Sequence, residues 1–386
     1  MTADYERWNK HEVLSETQID ARHSSGAFAQ RESARNDKRI AWVDYGKGFA
    51  MVLVFWGHTL CPEPFRDFFY AFHMPLFFFL SGFVFSTRHY PTLRSFVVRR
   101  VRTLLVPGLV FNVIVIALEW LNGIIVGQPF NVPVLHYLLG VVLEIRGGDL
   151  GIIPWFFTSL FAIEIAMYVV QCFITSKIQW QFVLGIIASL VGYGYSEFIG
   201  HTAPWALETA CSGFFFLVLG KIMRQQWDSM PGWLFSAPMI VVWGAATELF
   251  AWLNRHVAGE QTDIYLNQYG WYPFYMADAI AGIMFSVALL MMIERFRVPV
   301  LVPILDFVGA NSLIYYSFNN FALVLCEQWL GAVMNLNGRL SWQMQLGGGA
   351  LLVVGACLLC VPITVVVNRW CPEIMGKRRI PTGKTR

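Results

Sequence analysis

Residues 347–367 read GGGALLVVGACLLCVPITVVV, twenty-one positions without an Asp, Glu, Lys or Arg. Wound as an α-helix this run is about 31 Å long, the thickness of a bilayer's hydrocarbon core. A barrel strand would be half as many residues with alternating polarity. Lipid offers no partner to backbone N–H and C=O groups, so a run of this length has to satisfy them within itself, as a helix does. Thr103–Val126 and Ile152–Phe173 are apolar runs of similar length, each interrupted by one acid, Glu119 and Glu164. Composition agrees: 56% of the 386 residues are hydrophobic and 14% are charged, against about 25% charged in soluble domains. The chain reads as an all-α, polytopic integral membrane protein.

Ten apolar segments are expected, at about 41–61, 68–87, 103–126, 152–173, 179–199, 203–221, 233–252, 271–293, 303–330 and 347–368. The stretch Val132–Ile145 is too short to span and reads as interfacial. With ten crossings both termini share a side. The loops on that side carry 24 of the 28 Lys and Arg, leaving only Arg66, Arg146, Arg255 and Arg339 opposite. Positive loops stay in the cytoplasm, so both termini are expected there and the net charge of +3 implies no nucleic-acid partner. Residues 1–38 are polar, lack the apolar core of a cleavable signal and read as a disordered cytoplasmic tail. Residues 39–368 form the transmembrane domain and 369–386 a basic cytoplasmic tail. Cys357 and Cys360 have no His or Asp beside them, so packing explains them better than a metal or redox site, and no metal is expected.

Polar side chains inside an apolar segment are costly and therefore mark function. The first segment carries Asp44, Lys47 and His58. Lys47 and His58 are eleven residues apart, which on a helix is one face and about 16 Å of axis. A long ligand fits that spacing, with an anionic end at Lys47 and a reactive end at His58. The second segment holds Phe72–Gly82, where Pro75 frees a carbonyl one turn earlier for His73 or another helix to cap; spacing leaves His73 structural or catalytic. Arg99 and Arg102 lie three apart in the most basic connection, suited to one phosphate. Glu164, mid-segment, needs a partner, and His58 is a candidate. Glu208, Glu248 and Asp278 are further acids within segments, and Gly309–Asn320 contains a polar stripe that must face protein or water.

Lys47-x10-His58, Phe72–Gly82, Arg99-x2-Arg102 with Pro107, Trp155-Phe156-x3-Leu160-Phe161, Phe214–Gly220 and Gly309–Tyr316 occur in that order. This series resembles membrane-bound acyltransferase family 3, the O-acyltransferases of bacterial cell-surface polysaccharides, from about Arg39 to Asn368. The resemblance implies ten helices in the bacterial inner membrane. It also implies transfer of an acyl group, acetyl foremost, from cytoplasmic acyl-CoA to a sugar hydroxyl outside. It makes His58 the essential histidine, gives Lys47 to the same motif, and assigns Arg99 and Arg102 to the coenzyme A phosphates. Many relatives carry a His where this chain has Asn319. The partners implied are the lipid bilayer, a polysaccharide acceptor such as cellulose or another exopolysaccharide, and a polysaccharide synthase complex.

The expected chemistry has His58 taking the hydroxyl proton, Glu164 orienting the ring, and Asn311 or Ser312 donating to the oxyanion. The outer loops 127–151 and 254–270 are expected to select the acceptor. A transporter or flippase of lipid-linked sugar or acyl precursors is the competing class. Against it, the sequence shows neither an inverted repeat nor paired broken helices. It also has no Walker or dinucleotide motif, and no His-x4-Asp.

Overall fold

The computed structural model describes residues 40–128, 133–144, 146, 155–259, 261–334 and 340–377. The tail assigned to 1–38, Arg339 and the end of the basic tail, 378–386, lie outside the described residues. From Trp42 onward the chain is one unit. Among the described residues its regular structure is all helical, apart from an isolated bridge between Asp263 and Gln268.

In order the helices are α1 (Ala41–Gly57), α2 (Glu63–Tyr70), α3 (His73–Phe83), α4 (Leu93–Arg100), α5 (Val106–Ile125), α6 (Val134–Leu143) and α7 (Trp155–Val169). They continue as α8 (Ile178–Phe198), α9 (Leu207–Gln226), α10 (Ala237–Ala258), α11 (Tyr272–Phe296), α12 (Leu301–Ala310), α13 (Ser312–Met334) and α14 (Trp342–Trp370). A π-turn, Val101–Leu105, joins α4 to α5, so the basic connection runs straight into an apolar rod, Leu93–Ile125.

Six of these rods are long and apolar enough to cross a membrane, and α12 with α13 makes a seventh if that pair, bent by 94°, is one span. The chain is a multi-pass membrane protein. The three remaining expected segments are helical but differ in detail. α1 has seventeen residues. The segment at 68–87 is broken at Ala71 and Phe72, giving α2 and α3. α10 carries Glu248, Arg255 and His256 among its apolar residues. The expected interfacial stretch is the ten-residue α6.

Water-driven burial is weak between helices in lipid, so close backbone approach through small residues does the work. α3 and α9 cross in this way. A Cβ on Gly82 would overlap the Leu217 carbonyl, and one on Gly220 would overlap the Phe79 carbonyl. Around the crossing Phe78, Phe79, Phe83 and Phe216 are buried to 2% exposure or less. α1 and α12 repeat the device: Gly48 lies on the Leu305 carbonyl and Gly309 on that of Asp44.

Gly220→Ala is expected to cost about 1–3 kcal/mol through overpacking, read as a lowered melting temperature in detergent. Gly347→Ala, at a helical position with nothing within 4 Å, should leave the melting temperature unchanged or raise it.

Candidate active site

The main cavity, of about 330 Å³, lies where the start of α3 meets the end of α1. His58 occupies the turn closing α1, its N–H still bonded to the Val54 and Phe55 carbonyls at 3.3 Å. Its imidazole is exposed to the cavity. His73, the first residue of α3, lines the same cavity but is 6% exposed. Its Nδ1 is 2.7 Å from the Phe69 carbonyl. A carbonyl only accepts, so Nδ1 carries the proton and Nε2 keeps its lone pair. The capped carbonyl belongs to the last turn of α2, not to the residue four before Pro75, because the chain breaks at Ala71 and Phe72 and Pro75 sits in the first turn of α3.

Tyr70 stands between the two histidines, with ring centroids 6.5 Å from His58 and 5.1 Å from His73. It donates its hydroxyl to the Gly57 carbonyl at 3.0 Å, which ties α2 to the end of α1. The cavity is completed by Asn112, Trp155, Tyr316, Ser317, Asn319 and Asn320, and by Asp263, Ile264 and Tyr265 from the loop before α11. Aromatic faces next to amides and hydroxyls give this wall both apolar ring surface and hydrogen-bonding groups.

The loop wall is clamped from two sides. Arg146 and Glu208 form an ion pair with both side chains fully buried. The guanidinium also donates to Thr209 Oγ1 at 3.0 Å and to the Ile264 carbonyl at 3.4 Å, and lies over the rings of Trp155 and Tyr265. On the other side the Asn254 amide nitrogen donates to Thr262 Oγ1 and to the Tyr269 carbonyl, both at 2.9 Å. Its oxygen accepts the Trp271 N–H at 2.7 Å.

His58 and His73 are therefore brought together, whereas Glu164 is not with them. It is buried against Arg100, Nε to Oε2 2.8 Å, an ion pair not aligned as a hydrogen bond. Nine residues separate it from the cavity's Trp155, about 13 Å along α7. That puts it at the level of Lys47, whose charge acts on it, and the proposed His58–Glu164 pairing is not formed. Lys47 itself pairs with Asp44 at 3.3 Å.

Asn311 is also committed elsewhere. It sits at the 94° bend, donates to the Phe307 carbonyl at 2.8 Å and accepts from Asn368 at 2.8 Å. Neither Asn311 nor Ser312 lines the cavity; from the same polar stripe Ser317, Asn319 and Asn320 do. Arg99 and Arg102 are exposed, beside the turn Pro372–Met375, and Arg99 Nη1 donates to the Gly376 carbonyl at 3.2 Å. Glu208 is absorbed by Arg146. Asp278 is fully buried on α11 with neither carboxylate oxygen hydrogen-bonded among the described residues.

Sequence reasoning missed Tyr70, Asn112 and Asp263 as cavity residues and Arg146 as the clamp. The polar loop 254–270 was the available signal for Asp263. Nothing in the sequence distinguishes Tyr70 from its aromatic neighbours.

The Acyl_transf_3 family, described as an acyltransferase domain, matches residues 40–368, and the chain belongs to that family. No curated protein and no solved structure matches the chain. A multi-pass acyltransferase with two histidines in one cavity is the class that fold and family define.

Removing one member of a buried ion pair strands the other charge. Arg146→Met should therefore lower stability by about 3–5 kcal/mol, while the double change with Glu208→Leu recovers most of the loss. Chemical denaturation of the three proteins measures this.

Proposed function

We propose that the protein is an O-acyltransferase. It moves an acyl group, acetyl foremost, from cytoplasmic acyl-CoA to a hydroxyl of an extracellular or periplasmic polysaccharide such as cellulose or another exopolysaccharide. In this reading the chain crosses the bacterial inner membrane ten times with both termini in the cytoplasm, and works beside a polysaccharide synthase complex. The observation that carries the proposal is the separation of two kinds of site along shared helices. His58, His73, Tyr70 and three asparagines surround a cavity at one end. Lys47 lies eleven residues back along α1, and Arg100 meets Glu164 nine residues along α7 from Trp155. A donor with a charged head and a long arm fits two such levels about 16 Å apart. The cavity has room for a sugar ring and a short acyl group, not for a whole coenzyme A.

In this mechanism the phosphates rest on Arg99, Arg102 and Lys47. The thioester reaches the cavity, where neutral His58 removes the acceptor hydroxyl's proton as that oxygen bonds to the acyl carbon. The amide of Asn319, which lines the cavity, is the group that donates to the developing oxyanion. Collapse breaks the carbon–sulfur bond, and the proton held on His58 passes to the thiolate, releasing free coenzyme A. His73, locked by Phe69, keeps an Nε2 lone pair in the same cavity. It positions the acceptor, while His58, more exposed, meets it.

Coenzyme A release from acetyl-CoA, followed with and without oligosaccharide, tests this. His58→Ala should lower acceptor-dependent kcat by about 10²–10⁴-fold with the protein still folded. Arg99→Ala with Arg102→Ala should instead raise the KM for acetyl-CoA. Wild-type turnover in His58→Ala overturns the mechanism. Vesicle uptake of sugar or acyl precursor with no coenzyme A release replaces it with transport.

A further inference from the structure

Among the described residues Asp263 is the one acid lining the histidine cavity. Its loop is closed by reciprocal backbone bonds with Gln268, at 2.8 and 2.9 Å. One carboxylate oxygen, Oδ1, accepts the Tyr265 N–H at 2.8 Å. Among the described residues no cation lies within ion-pair distance of it. The nearby cations are matched by other acids. Arg146 is held by Glu208, and Arg255 by Glu63 and Asp67, with Arg66 on the same short helix as those two acids. Glu144, beside Arg146, is turned to Thr158. With both imidazoles neutral, as a base must be, the charge left facing the cavity among the described residues is the negative one on Asp263.

We propose that Asp263 selects the acceptor by charge: the cavity takes hydroxylated sugars that are neutral or carry an amine, and rejects those with a carboxylate or sulfate beside the reacting hydroxyl. A neutral sugar offers Asp263 a hydroxyl donor and gains a charge-assisted hydrogen bond. An anionic sugar instead meets a fixed like charge in a place poor in water, the usual way a site discriminates against a near-isostere. The loop that supplies this charge is rigid, because Arg146 and Asn254 hold it from either side. The carboxylate cannot swing away to relieve the repulsion.

The inference rests on the acyltransfer reading, and its test separates the two. Protein reconstituted in lipid nanodiscs is titrated with a neutral gluco-oligosaccharide and with an oligouronate of equal length. Tryptophan emission reports binding, since Trp155 is part of the wall. Coenzyme A release is measured in parallel. Wild type should bind the neutral oligomer about tenfold or more tightly than the uronate. Asp263→Asn keeps the amide oxygen for Tyr265 and should narrow the gap to about threefold by improving uronate binding. His58→Ala should keep the full gap while losing turnover. Equal binding of both oligomers by wild type, or an unchanged gap in Asp263→Asn, overturns the proposal. Wild-type turnover in His58→Ala with the charge gap intact overturns the mechanism and leaves the selectivity standing. Binding of neither oligomer overturns both.

Discussion

The contact between the backbones of α3 and α9 fixes the geometry of everything around the cavity. Gly82 and Gly220 allow each helix to rest on a carbonyl of the other, and Gly213 brings Phe78 against the same helix further along. Matching Phe78 with Gly213 and Gly82 with Leu217 makes the pair run in one direction. The helix that begins with His73 and the helix whose second residue is Glu208 therefore start at the same end. One crossing, made where no side chain can flex, sets the distance between a cavity imidazole and the acid that holds Arg146. Packing energy in lipid comes from such fits, because no hydrophobic driving force distinguishes a neighbouring helix from a lipid tail.

The polar groups inside the protein sort into two levels. Near the cavity are His58, His73, Arg146, Glu208 and the asparagines. At the other are Lys47 with Asp44, Arg100 with Glu164, and Lys221, whose ammonium is held by the carbonyls of Gln171 and Gln181 at 2.7 and 2.8 Å. Each of these charges is matched within its own level, as burial in hydrocarbon requires, and Asp278, with no hydrogen bond among the described residues, stands outside both. Phenylalanine and glycine fill the space between. A carboxylate at Glu164 is therefore spent on balancing Arg100, and no carboxylate from that level can serve His58.

Much of this was legible in the sequence, for definite reasons. Long apolar runs such as Thr103–Val126 and Gly347–Val367 admit one structure in lipid, and they are helical. His58 and His73 stand out because histidine is rare in such surroundings, and both line the cavity. What was illegible depends on which helix faces which. Glu164 and His58 are both intramembrane polar residues, yet their pairing is decided by depth along α1 and α7, which periodicity alone does not relate. The break at Ala71 and Phe72 has its signal in Pro75, which has no N–H for the Ala71 carbonyl, but its geometry depends on Tyr70 and His73 bonding to the carbonyls of Gly57 and Phe69. Arg146 looked like an outer-loop topology residue, and its complete burial comes from the partner at Glu208 and the two rings beneath it.

The bridged loop from Asp263 to Gln268 is tied to the bundle through backbone carbonyls, Ile264 to Arg146 and Thr209 and Asn267 to Ser196, while its own ends are closed on each other and Asn254 holds its flanks. Helices cross-braced by glycines tolerate little change, since one methyl group separates a fit from an overlap. The loop is held instead by backbone carbonyls, which any residue supplies. Evolution of a new acceptor preference therefore has an inexpensive route here. The side chain of Leu266, exposed at the tip, can be exchanged while the carbonyl ties and the scaffold that carries the histidines are inherited untouched.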